Sequence, residues 1–179
     1  MADFNLDSAI RKVPDFPHKG ILFYDITSIL TNVEALKYVI ENEKQLYTDK
    51  NIDAVLAVES RGFIFASPLA LYLEKPLILA RKKGKLPGET ISETYTLEYS
   101  TATLEIHKSD LKNGLNILII DDLIATGGTI KACAKMIEKS GSKVAGIFAV
   151  MGLPFLNYMK LLKDYNVTTL INYDSENIQ

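Results

Sequence analysis

The segment "NILIIDDLIATGGTIKACAKMIEKSG", residues 116–141, is the strongest local statement in the chain. The aliphatic run Ile117 to Ile120 has no polar alternation, so it reads as a strand covered on both faces, as in parallel sheets. Asp121 and Asp122 then fall at its carboxyl end. Beyond the Gly127–Gly128 pair, Ile130, Cys133, Ala134 and Ile137 recur at helical spacing, and Gly141 closes the pattern as a helix C-terminal glycine does. The unit predicted is strand, loop, helix.

The rest of the chain repeats that alternation. "DAVLAV", "PLILA", "KVAGIFAV" and "NVTTLIN" read as further strands, and "FIFASPLALYL" as a helix. Val33, Leu36, Ile40 and Tyr47 mark a longer helix capped at Thr31 or Asn32. Pro154 to Asp164 read as helical, and Leu6, Ala9, Ile10 and Val13 have helical spacing before "PDFPHKG" breaks it. From Arg81 about fourteen polar residues follow, a length typical of a functional loop. "TYTLEY" and "TATLEIH" then alternate like two antiparallel strands. The expected fold class is α/β, a mostly parallel sheet flanked by helices. With 179 residues, 47% of them apolar, one core suffices. A single domain over 1–179 is expected, with a small N-terminal hood (1–32) and a lid loop and hairpin at about 81–107.

Composition removes several classes. No apolar run approaches the roughly 18 residues of a membrane-crossing helix, and "MADFNLDSAIRKV" lacks a signal-peptide layout. A cytoplasmic protein with no membrane partner is expected. The net charge of −2 argues against a nucleic-acid partner. Cys133 lies on an apolar helix face and reads as core, and the two histidines have no thiolate neighbour to build a zinc site.

In sheets of this kind ligands bind beyond the carboxyl ends of the strands. There the loop Ala125, Thr126, Gly127, Gly128, Thr129 offers backbone N–H groups at a helix N-terminus, a setting that favours phosphate. Asp121 and Asp122, acceptors when ionised, suit the hydroxyls of a sugar carrying that phosphate. A Walker loop would need Gly-Lys-Ser/Thr, and a dinucleotide site an acidic residue about 20 positions after its glycines. A lone helix cap and tight turn is the plain alternative. In "AVESRG", Arg61 offers a second anion contact. Arg81, Lys82 and Lys85 belong to a run of four cations in five residues at the start of the polar loop. A solvated charge run is the plain reading; a lid over a doubly phosphorylated substrate is the functional one.

Taken together, "ILIIDDLIATGGT" resembles the phosphoribosyl pyrophosphate signature of the type I phosphoribosyltransferases. "DFPHKGILFYD", "ESRGF", "RKKGKLPGETISETYTLEY" and "LEIH" are similar to the adenine-using branch of that family, over residues 14–153. The resemblance implies transfer of the phosphoribosyl group from phosphoribosyl pyrophosphate to adenine, with Mg²⁺ as cofactor and a homodimer as the assembly. It implies that Arg61, Arg81, Lys82 and Lys85 serve the leaving group, and that Ala125 to Thr129 hold the 5-phosphate. Asp121 and Asp122 would hold the ribose hydroxyls, with the metal bound through the substrate. Glu98 would handle a proton of the base, with Tyr99 helping to close the site. Leu22 main-chain groups would read the purine edge, with Phe23 on one face and Leu153 on the other. The alternatives are another purine as acceptor, or a regulator that senses phosphoribosyl pyrophosphate without catalysis. Two departures from the pattern sit near the base: Tyr24 stands where a basic residue is usual, and Gly152-Leu153-Pro154-Phe155 replaces a segment with an acidic residue before the leucine.

Overall fold

The computed structural model describes residues 4–96 and 101–176. Its strands are β1 (Arg11–Pro14), β2 (Leu22–Asp25), β3 (Ala54–Val58), β4 (Leu77–Lys82), β5 (Thr90–Thr96), β6 (Thr101–His107), β7 (Asn116–Ile124), β8 (Lys143–Gly152) and β9 (Val167–Asn172). The helices are α1 (Val33–Tyr47), α2 (Gly62–Tyr72), α3 (Gly128–Lys139) and the short α4 (Tyr158–Leu161). Seven strands form one sheet in the order β5-β6-β4-β3-β7-β8-β9, and β1 with β2 forms a separate antiparallel hood. β4, β3, β7, β8 and β9 are parallel, the arrangement expected from alternating strands and helices.

The four aliphatics of β7 show why the sheet needs two covers. Ile117 and Ile119 belong to a core shared with Ile130, Cys133 and Ile137 of α3. Leu118 and Ile120 belong to the opposite core, with Val39 of α1 and Phe65 and Leu69 of α2. All four side chains are fully buried, and burying an aliphatic side chain of this size contributes roughly 1.5–3 kcal/mol. Cys133 is buried in the first core, as its helical spacing predicts, and burial pushes its thiol up. Asn32 caps α1, its Oδ1 accepting from the N–H groups of Glu34 and Ala35 at 3.1 Å each.

The structure revises several boundaries. Residues Leu6–Ala9 form a single 3₁₀ turn, and the chain extends from Arg11 because β1 pairs with β2, so no helix runs on to Val13. β7 continues through Asp121 and Asp122 to Ile124, because β8 runs beside it to its end (Ile124 opposite Gly152). The first hairpin strand begins at Thr90 rather than Thr94, because the polar "TISE" pairs residue by residue with β6. That shortens the polar connection after β4. The hairpin also continues the main sheet, through Arg81 opposite Glu105 and Lys82 opposite Leu104. The helix expected over Pro154 to Asp164 is split at Asn157, which takes a left-handed φ of 61°. No helix among the described residues is long and apolar enough to cross a membrane.

One buried group stands outside this scheme. Glu43 of α1 is fully buried, and among the described residues neither carboxylate oxygen has a hydrogen-bond partner. Burial pushes its pKa well above the ordinary range. The folded chain therefore binds that proton more tightly than the unfolded chain does. Its stability contribution is complete below the ordinary glutamate value of about 4.3 and is lost as pH rises toward the folded value. In urea melts, Glu43→Leu should be free of this loss, so its midpoint should gain on the parent as pH rises above the ordinary glutamate value of about 4.3. Parallel pH profiles for the two chains would contradict this.

Candidate active site

The sheet reverses direction of growth between β3 and β7: the chain leaves β3 toward β4 on one side and leaves β7 toward β8 on the other. At such a switch point the loops after the two strands part and leave a crevice. Here a cavity of about 350 Å³ opens, lined by Glu59, Ser60 and Arg61 after β3, by Asp121 to Gly127 from β7 and its loop, and by Thr129 at the start of α3. Lys82, Tyr95 and Leu104 close it from the β4–β6 side.

The loop is shaped for an anion. Gly127 caps α3 with φ of 82°, in the left-handed region that a residue with a Cβ rarely adopts. A Cβ there would also lie 3.2 Å from that of Tyr158. The first helical bond of α3 runs from Lys131 N–H to Gly127 O at 2.9 Å. The amides immediately before it have no intrahelical acceptor, and the positive end of the helix dipole sits with them. Gly62, which opens α2, is small for a packing reason. A Cβ on it would stand 2.9 Å from the carbonyl oxygen of Ile120 and 3.1 Å from Cα of Asp121. Its absence lets α2 press against β7.

The two acids are not equivalent. Asp121 accepts from the Asp122 N–H at 2.8 Å and faces burial and a neighbouring carboxylate. Burial, then the charge of Asp122, raises its pKa well above the ordinary carboxylate value. Asp122 is ion-paired with Arg61, whose Nε donates to its Oδ2. Glu59 works behind them. Its Oε2 accepts from the Lys82 N–H at 2.7 Å and stands 3.4 Å from Arg81 Nε. Burial pushes the Glu59 carboxyl up, but the Lys82 amide and the Arg81 guanidinium outweigh it and hold it below its ordinary range.

A second cavity, about 250 Å³, lies under the hood and is mostly apolar: Pro17, Ile21 to Ile26, Leu153 and Phe155 line it, with Glu176. It shares Arg61, Leu123 and Ala125 with the first. The two spaces therefore meet at one point. Leu22, Phe23 and Leu153, the three residues that the resemblance assigns to the base, all line this cavity. Phe23 is 40% exposed and meets Phe16 edge-on at 5.0 Å, so it is not core packing.

Of the cations, Arg61 and Lys82 line the larger cavity; Arg81 is turned to Glu59 and to the Lys85 carbonyl (3.3 Å), and neither it nor Lys85 lines the space. Glu98 and Tyr99 lie outside the described residues. Tyr95, Asp25, Phe155 and Glu176 are cavity residues that sequence reasoning missed. Glu59 was within reach, since it shares the strand-to-helix turn of Arg61. Among the described residues no three His, Cys, Asp or Glu side chains cluster as a metal site.

Comparison with known proteins agrees with this geometry. The family model described as phosphoribosyl transferase domain matches residues 25–179. The chain is 57% identical over 178 residues to adenine phosphoribosyltransferase of Treponema denticola, covering 99% of this chain and 94% of that protein. It superimposes on the crystal structure of adenine phosphoribosyltransferase from Thermoanaerobacter pseudethanolicus with a TM-score of 0.88 at 44% identity, covering 94% and 98% of the two chains. For the Saccharomyces cerevisiae enzyme, complexed with an imino-altritol bisphosphate and adenine, the values are 0.85 and 36%, over 92% and 96%.

Gly127→Ala should weaken binding of ribose 5-phosphate about tenfold by calorimetry, because left-handed backbone costs a residue with a Cβ about 1–2 kcal/mol. Unchanged affinity would mean that the loop does not hold the phosphate.

Proposed function

Because the chain belongs to the phosphoribosyltransferase family, we propose that its larger cavity holds phosphoribosyl pyrophosphate and its hood cavity holds the base. The reaction transfers the 5-phosphoribosyl group to adenine, giving AMP and pyrophosphate, a step of purine salvage. The observation that carries the site assignment is the meeting of the two cavities at Arg61 and Ala125. A ribose anchored by its phosphate on one side of that point presents its C1 toward an apolar slot wide enough for a purine.

In this reading Ala125 to Thr129 hold the 5-phosphate, and Asp121 and Asp122 orient the ribose hydroxyls. The bond from C1 to the pyrophosphate oxygen breaks as adenine N9 bonds to C1. Positive charge grows on the ribose, where the two acids stand, and negative charge grows on the leaving group, beside Arg61 and Lys82. Arg81 would reach it only by leaving Glu59 and the Lys85 carbonyl, and Lys85 stands outside the cavity lining. The site fits Mg²⁺ held through the substrate: pyrophosphate and ribose oxygens would supply the hard ligands, and the carboxylate of Asp122, which lines the cavity, would stand beside them. When bound, Mg²⁺ neutralises charge on the departing pyrophosphate. Glu98 takes the proton from the base. The resemblance carries that role; Tyr95, three residues earlier in the sequence, lines the larger cavity.

The whole chain, hood and hairpin included, serves this one site, and we treat it as one domain. A cytoplasmic setting suits a substrate too highly charged to cross a membrane. The homodimer is supported by α2. One side of this helix is buried in the second core, yet Ile64 and Leu71 on its other side are 43% and 81% exposed. A helix apolar all round is normally covered on both sides, and a second copy would cover it.

With phosphoribosyl pyrophosphate and Mg²⁺ supplied, adenine should yield AMP, and hypoxanthine, guanine and xanthine far less nucleotide. Tight binding of the activated sugar with no product from any base would instead indicate a sensor. Glu98→Ala should lower kcat about 10²- to 10⁴-fold, the range of general acid–base work, with little change in affinity for phosphoribosyl pyrophosphate; an unaltered kcat would remove Glu98 from the chemistry. Light scattering should give the mass of two chains, and Leu71→Glu should shift it toward one. A monomeric parent would refute the dimer.

A further inference from the structure

The chain does not end its work at β9. Tyr173 donates its N–H to Gly152 O at 3.1 Å, and its ring stacks on Tyr24 with centroids 3.6 Å apart and planes 12° apart. Its hydroxyl donates to Asp7 Oδ1 at 2.6 Å, and Lys12 Nζ donates to the same carboxylate at 2.8 Å. The Lys12 ammonium also stands 5.7 Å from the Tyr173 ring centroid. Tyr173 is thus pinned to the hood on three sides. The residues after it turn back across the hood. Tyr24 Oη donates to Ser175 O at 2.8 Å, and the Leu22 N–H donates to Glu176 O at 2.6 Å. Glu176 thereby becomes a wall of the hood cavity.

The last of these bonds collides with base recognition. A backbone N–H is a single donor, and an acceptor nitrogen on a purine ring cannot take it while the Glu176 carbonyl holds it. We propose that residues 174–176 form a strap that occupies the Leu22 N–H in the free enzyme and is displaced when a purine base binds. Tyr24, standing where relatives in the resemblance carry a basic residue, is its positioning residue: the ring fixes the root through Tyr173, and the hydroxyl holds Ser175. This rests on the reading of Leu22 as the residue that meets the base edge. The strap lowers the apparent affinity for the base by the fraction of molecules in which it is released. It leaves the sugar-phosphate site alone, since none of its residues lines the larger cavity.

The test is a chain ending at Tyr173, which keeps β9, the Tyr24–Tyr173 stack and the bond to Asp7, alongside Tyr24→Phe, which keeps the stack and loses only the hydroxyl. KM for adenine and for phosphoribosyl pyrophosphate are measured for both, and AMP affinity by calorimetry. The shortened chain should show KM for adenine and Kd for AMP lower by about three- to tenfold, the span of one net hydrogen bond, with KM for phosphoribosyl pyrophosphate unchanged. Tyr24→Phe should move the same values in the same direction by less. Adenine turned over at unaltered KM in both variants overturns the strap alone. A raised KM in the shortened chain overturns it too, by making the segment part of the base-binding surface. Absence of AMP formation by the full chain overturns the base-site reading, and the strap with it.

Discussion

The structure depends on β7 being buried on both faces along its aliphatic half and open to a crevice at its end. Ile117 and Ile119 are claimed by the core under α3, Leu118 and Ile120 by the core under α1 and α2. That double cover fixes the strand so firmly that its last residues can carry cost. Two adjacent carboxyl groups, one with its pKa raised by burial and by its neighbour, would be expensive on a less rigid element. The offset comes from next door: Gly62 lets α2 approach within contact of β7, and Arg61, one residue earlier, pairs with Asp122. A packing requirement and a charge requirement are met by consecutive residues of one turn.

From this strand the site grows in two directions. Toward α3, the left-handed Gly127 turns the chain so that the helix begins beside the cavity, where its first amides have no intrahelical acceptor. Toward the hood, Leu123 and Ala125 pass from the polar cavity to the apolar one. The division of labour follows from the lining. Charged and polar groups surround the space suited to a phosphorylated sugar, whereas Phe23, Leu153 and Phe155 surround the space suited to a flat base. Lys82 is steadied through Glu59, which accepts from its amide and draws Arg81 away from the cavity.

Local chemistry was readable in the sequence wherever it was carried by neighbours along the chain. The strand-loop-helix around Asp121 and the burial of Cys133 follow from periodicity, cap rules narrow the start of α1 to Thr31 or Asn32, and the structure agrees, with Asn32 as the cap. Where pairing partners come from afar, the sequence was less informative. Nothing near Val13 reveals that β2 will pair with it, and nothing in "TISE" shows that β6 lies opposite. The hood cavity shows the same limit most sharply. Glu176 and Tyr24 are about 150 residues apart by their numbers, a separation at which no spacing rule operates, yet one turn of tail brings Glu176 to Leu22. Tyr24 looked like a loss of charge; its structural role is a ring stack and a hydroxyl contact to that tail.

The account stands or falls on the paired acids and the amide loop holding one sugar phosphate between them. Calorimetric titration of phosphoribosyl pyrophosphate with Mg²⁺ into a chain carrying both Asp121→Asn and Asp122→Asn, shown to be folded by its thermal melt, addresses this directly. Affinity lower than the parent's by at least about tenfold, the loss of one or more charge-assisted hydrogen bonds, is the predicted result. Affinity equal to the parent's would place the pentose elsewhere.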